Sequence, residues 1–218
     1  HAGSVVELCL SQNGLTHMQC TLLAPLTSLR DIDLSHNSLL DFPEAALVAS
    51  IERLDLSHNS LAEVGCSAEL LALRLPRLRA LNLASNKLKL LPPAMAGCAA
   101  LTDLDLSDNA IQAAGDALLG TPQLTRLSLA DNQLQSLPPS LWELSVLETL
   151  EVQGNRLGAL PQQVGGLCCL RQLQLQGNNL RALPRRLGEC RGLELLHCQP
   201  NPLAWPPAEV LQLALPRL

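Results

Sequence analysis

Leu101-Thr102-Asp103-Leu104-Asp105-Leu106-Ser107-Asp108-Asn109-Ala110-Ile111 reads L-x-x-L-x-L-x-x-N-x-[LI], and the same pattern recurs along the chain. Outward from this stretch, copies begin at Val5, Leu29, Ile51, Leu78, Leu101, Leu124, Leu147, Leu170 and Leu193. Their asparagines are Asn13, Asn37, Asn59, Asn86, Asn109, Asn132, Asn155, Asn178 and Asn201. The starts are 24, 22, 27 and then five times 23 residues apart. Within each copy, as in Leu104-Asp105-Leu106, apolar and polar residues alternate with the period of a half-buried strand. A self-similar period of this length means that each copy is one structural unit stacked on the next.

A strand of so few residues is not stable alone and must pair with its neighbours. We therefore expect nine short parallel strands in one concave sheet, with leucines inward and the intervening residues outward. The asparagine follows the strand, where the chain turns in. Its amide suits backbone groups that an inward turn leaves unpaired, so a ladder of asparagines is expected. Segments such as Leu88-Lys89-Leu90-Leu91-Pro92-Pro93 then carry the chain to the convex side. Short helical returns are expected near residues 94–98 and 140–144, with proline at their start, where its missing N–H costs nothing. The 27-residue spacing contains Glu69-Leu70-Leu71-Ala72-Leu73-Arg74-Leu75, which predicts a longer convex helix.

Repeat length and motif together resemble the leucine-rich repeat. The implied fold is an α/β solenoid, or horseshoe: a parallel concave sheet of about nine strands with short helices and irregular turns outside. Asn201-Pro202-Leu203-Ala204-Trp205-Pro206-Pro207-Ala208-Glu209-Val210 resembles the closing repeat of intracellular members. That ending and the L-x-x-L-P-P phase are similar to Ras-group scaffolds, Scribble-type proteins and the repeat domains of Roco kinases. We read residues 1–218 as one domain, with 201–218 as its closing repeat and Trp205 packed over it. The absence of an initiating Met, and Val5 opening a repeat with little before it, suggest a segment of a longer protein.

Composition narrows the class. Hydrophobic residues make up 47% of the chain, but no run of ~18 uncharged apolar residues occurs, so no transmembrane span is expected. The eight cysteines, Cys9, Cys20, Cys66, Cys98, Cys168, Cys169, Cys190 and Cys198, are scattered instead of clustered at the ends. With no N-x-[ST] sequon, this suggests small buried thiols in a reducing, cytoplasmic setting.

Motif positions 3, 5, 7 and 8 are expected to face solvent on the concave side. They place Asp31, Asp33, Arg53, Asp55, Asp103, Asp105, Asp108, Arg126, Asp131 and Glu151 there, on strands ~4.8 Å apart. Like charges side by side on neighbouring strands cost stability, so an acidic strip suggests a solubilising surface or a site for a basic protein partner. Residues 1–150 hold 8 basic and 16 acidic side chains, against 7 and 4 in 151–218. An overall charge of −5 argues against nucleic acid. A second candidate patch on the turn and convex side comprises Arg181, Arg185, Arg186 and Arg191, with Trp142 as a further convex contact.

Sites of chemistry are poorly supported. His36 and His58 align beside Asp33 and Asp55, and His197 lies near Cys190 and Cys198. Repeat geometry accounts for the first pair, and opposed side-chain directions spoil the second as a metal site. No G-x-x-x-x-G-K-[ST], G-x-G-x-x-G, H-E-x-x-H or G-x-S-x-G motif occurs. We expect no cofactor and no catalysis in this segment. The expected role is protein binding within an intracellular scaffold or adaptor. The alternative is the repeat domain of a larger signalling enzyme of Roco type, positioning substrate or regulating the catalytic domains. The sequence carries no signal for oligomeric state.

Overall fold

The computed structural model describes residues 4–18, 23–44, 47–113 and 115–204. Nine three-residue strands form: β1 (Glu7–Cys9), β2 (Asp31–Asp33), β3 (Arg53–Asp55), β4 (Ala80–Asn82), β5 (Asp103–Asp105), β6 (Arg126–Ser128), β7 (Thr149–Glu151), β8 (Gln172–Gln174) and β9 (Leu195–His197). They make one parallel sheet in chain order. Each central strand residue pairs with the next, from Leu8–Ile32 through Leu54–Leu81 to Leu173–Leu196. From Ile32 to Leu196 all of these central side chains are buried. The chain is thus a leucine-rich-repeat solenoid whose core runs along its axis.

The core is layered by motif position. Leu101, Leu104, Leu106 and Ile111 are all buried, and so are their counterparts Leu124, Leu127, Leu129 and Leu134 in the next repeat. Burying one such side chain stabilises by roughly 1.5–3 kcal/mol, but a single turn buries its leucines only against its neighbours. The first turn shows the consequence. With no strand before β1 among the described residues, Val5, Leu8, Leu10 and Leu15 stay only partly buried.

The expected asparagine ladder is present. Asn132 Nδ2 donates to Leu106 O (2.9 Å) in the preceding turn, and to Leu129 O and Ala130 O in its own. Its Oδ1 accepts the Ile111 amide at 2.9 Å. Asn37, Asn59, Asn86, Asn109, Asn155, Asn178 and Asn201 repeat this connection. One side chain therefore satisfies donors and acceptors from two turns, which hydrophobic packing alone would leave unpaired.

On the convex side, the returns are 3₁₀ helices at Pro93–Gly97, Ala117–Gly120, Pro139–Glu143, Gln162–Gly166 and Arg185–Glu189. Pro93 and Pro139 occupy the first helical position, as expected. The longer repeat makes α1 (Ala68–Arg74), capped by Ser67, whose side chain accepts the Leu70 amide at 3.2 Å. Among the described residues the long repeat alone forms α-helical turns, having more chain to use; the 23-residue repeats close with tighter 3₁₀ geometry. Among the described residues no helix is long and apolar enough to cross a membrane. The expected Trp205 cap, the rest of 205–218, and Cys20 lie outside the described residues.

Candidate functional site

Strands β1–β6 line a concave groove of about 720 Å³. Its walls carry six carboxylates, Glu7, Asp31, Asp33, Asp55, Asp103 and Asp105, against two guanidiniums, Arg53 and Arg126. Register puts Asp31 beside Arg53, Asp33 beside Asp55, and Asp103 beside Arg126.

Neither arginine neutralises the middle of the groove. Arg53 reaches back to Asp31 on β2, with Nη2 2.7 Å from Oδ2. This hydrogen bond raises the Arg53 pKa above its ordinary value, with the Asp31 charge adding to it. Arg126 reaches forward to Glu151 on β7, with Nη2 3.1 Å from Oε1. Arg53 is thus spent on one groove carboxylate, and Arg126 is drawn out of the groove to Glu151. Among the described residues, no basic side chain forms an ion pair with Asp33, Asp55, Asp103 or Asp105.

The position-5 carboxylates have a second task. Asp33 Oδ1 accepts the Ser35 amide and Asp55 Oδ1 the Ser57 amide, both at 2.8 Å; Asp105 Oδ1 accepts the Ser107 amide at 2.9 Å. Asn82 holds the Ala84 amide in the same way at 3.0 Å. Each is a local turn in which the side chain stands in for a backbone carbonyl. At Asp33, burial works against the charged form. Hydrogen bonds from the Ser35 hydroxyl and amide, Cys9 and Ser11 outweigh it and hold the pKa below the ordinary value. Asp33 Oδ2 also accepts the Cys9 thiol (3.4 Å), and Asp55 Oδ2 accepts the Asn82 amide (3.0 Å). Asp103 Oδ2 accepts the Thr102 hydroxyl at 2.7 Å.

Two parts of the expected concave surface differ. Position 7 does not face solvent at Ser35 and Ser57, which are buried because the chain has already begun its inward turn. Position 8 is a backbone device. Gln12, His36, His58, Ser85, Asp108 and Asp131 have φ between 51° and 59°, and Gly154 and Gly177 occupy the same place at 66° and 67°. The left-handed region favours Gly, Asn, Asp and His, which accounts for most of the residue choice here. Asp108 and Asp131 therefore sit on the turn beyond the groove, Asp108 Oδ2 accepting the Ser85 hydroxyl at 2.8 Å. Spacing alone gives no warning of this; the repeated Asp, His, Ser and Gly at one motif position is the available signal.

His36 and His58 stack, with ring centroids 4.1 Å apart and planes within 10°. Parallel stacked rings aim their nitrogens alongside one another and do not converge on one ion. Among the described residues no group of three or more metal-type ligands gathers.

The convex patch is less coherent than its sequence suggests. Arg186 is held by Glu189, with Nε 2.9 Å from Oε1 and Nη2 2.9 Å from Oε2. Arg181, Arg185 and Arg191 are exposed around the 3₁₀ helix Arg185–Glu189 and form no ion pair among the described residues. Trp142 is half-buried and packs on the core. Seven cysteines, Cys9, Cys66, Cys98, Cys168, Cys169, Cys190 and Cys198, are free; Cys98, Cys190 and Cys198 are buried as expected, whereas Cys9, Cys168 and Cys169 are exposed.

Residues 67–111 and 122–180 match the leucine-rich-repeat family profile. No curated protein sequence matches the chain. Among solved structures, a leucine-rich-repeat protein of Leptospira interrogans superposes with a TM-score of 0.84 at 24% identity, over 98% of this chain and 59% of its own. A TDR receptor gives 0.76 at 27% identity, over 91% of this chain and 35% of the receptor. The plant peptide hormone receptor RGFR1, solved with RGF2, gives 0.62 at 21%, over 91% and 36%. The chain thus spans between about a third and three-fifths of the length of these neighbours. The strand register, the asparagine ladder and the profile match agree: the chain has the leucine-rich-repeat solenoid fold.

Proposed function

We propose that this chain is a non-catalytic protein-interaction module of an intracellular scaffold or adaptor, and that its β1–β6 groove takes a basic segment of a protein partner. One observation carries the reading: among the described residues, Asp33, Asp55, Asp103 and Asp105 line the groove without ion-pair partners, while Arg53 is tied to Asp31 and Arg126 to Glu151. Such a groove focuses negative potential, speeds the encounter with cationic surfaces and rejects anionic ones. Asp31 and Glu151 contribute less directly, since each already holds an arginine. A structural neighbour solved with a peptide hormone supports peptide-sized partners on this fold. The intracellular assignment is supported by free thiols at Cys98 and Cys198, buried in separate turns, where the reduced form serves as core.

Selection of a random peptide library displayed on phage tests this. Recovered peptides should be rich in Lys and Arg, and an Asp55→Asn/Asp103→Asn/Asp105→Asn variant should lose them. Peptides lacking basic residues, or retained equally by the variant, would count against the reading.

A further inference from the structure

The convex returns of the seventh and eighth repeats pack directly against each other, as those around Gly97 and Gly120 also do. Gly165 lies against Arg186, where an added Cβ would stand 2.6 Å from Arg186 O and 3.0 Å from Arg186 Cβ. Only a residue without a side chain allows this contact. Farther along, an added Cβ on Gly192 would stand 3.5 Å from Leu170 O and 3.9 Å from Cys168 O, so the two backbones still run side by side.

Two cysteines lie between these points. Cys190 is buried and its Sγ donates across to Val164 O, 3.3 Å away in the preceding return. Cys168 is exposed and its Sγ donates to Gly166 O at 3.4 Å. Both sulfurs thus rest on carbonyls of one 3₁₀ helix, Gln162–Gly166, two residues apart. Cys190 N donates to Leu187 O as Leu167 N donates to Val164 O, so Cys190 is the counterpart of Leu167 and Cys168 is one residue beyond. Burial, then the nearby Cys168 and Glu189, raise the Cys190 pKa.

We propose that Cys168 and Cys190 form a reversible disulfide that staples these two turns. The accessible Cys168, as thiolate, attacks one sulfur of a disulfide such as glutathione disulfide and releases one glutathione thiolate. The Cys190 sulfur loses its proton and displaces the second glutathione from the mixed disulfide. The two protein thiols give up two protons and two electrons; glutathione disulfide becomes two glutathiones. A glutathione-rich pool runs the exchange backwards.

The test equilibrates the whole chain at low concentration with glutathione disulfide, then alkylates free thiols and maps linked peptides by mass spectrometry. Wild type and Cys169→Ser should each lose two alkylatable thiols and yield a Cys168–Cys190 crosslink that dithiothreitol reverses. Cys168→Ser, a surface change, and Cys190→Ser should not form it. Retention of all thiols by the wild type, a Cys168–Cys169 linkage, or unchanged thiol loss in Cys168→Ser would overturn the proposal.

Discussion

Asp33 and Asp55 stand in register on β2 and β3, and each spends one carboxylate oxygen on the amide two residues on, 2.8 Å away. Two like charges are tolerated side by side because each is anchored by its own turn. The remaining oxygens lie towards the groove. One set of aspartates therefore both shapes the strand ends and sets the charge of the candidate binding face.

Asp33 gives the fold an acid-sensitive element. Its folded pKa lies below the ordinary value of 3.8, so its contribution is complete above that pH. As pH falls from there through the lower folded pKa, the contribution is lost. Asp33→Asn should keep the turn, because Asn82 already makes it, and should flatten the acid limb of stability. Urea midpoints measured on the acid side will show a shallower fall in the variant; parallel curves would exclude this role.

Asn132 tests the ladder. Replacing it with Ala leaves Leu106 O, Leu129 O, Ala130 O and the Ile111 amide without this partner. Leu106 O, Leu129 O and Ala130 O still accept from Asn109, Asn155 and Asp108, so the Ile111 amide is the group left unsatisfied, and the expected loss is about 1–3 kcal/mol. Equilibrium denaturation should report a lower midpoint. An unchanged midpoint would mean the ladder is dispensable.

Asp108 separates backbone from charge. At φ 52° it sits where Gly154 and Gly177 sit in later repeats. Asp108→Gly should be tolerated, whereas Asp108→Val should cost about 1–3 kcal/mol because a β-branched residue resists the left-handed region. Equal melting temperatures for the two variants would contradict the turn assignment.

The solenoid was legible because its determinants are periodic. Leu104 and Leu106 announce the strand, Asn109 the inward turn, and Glu69–Leu75 the longer helix. The candidate site was legible only as a list of outward positions. Local turns decide that Asp105 holds the Ser107 amide and that Asp108 adopts positive φ, and both look like surface acids in a motif. Which neighbour an arginine chooses is equally hidden: Arg126 lies in register with Asp103 on β5 but bonds Glu151 on β7. The Arg186–Glu189 pair is spaced i,i+3 and could have been found on the convex return.

The most direct measurement is affinity capture from cell lysate with quantitative mass spectrometry, comparing the wild-type chain with the Asp55→Asn/Asp103→Asn/Asp105→Asn variant. Asparagine preserves the turns at positions 55 and 105 while removing charge, so both baits should melt alike. Proteins with basic segments should be depleted on the variant, on the order of tenfold at low salt, with the difference shrinking as salt rises. An identical set of captured proteins on the two baits would contradict binding by the acidic groove.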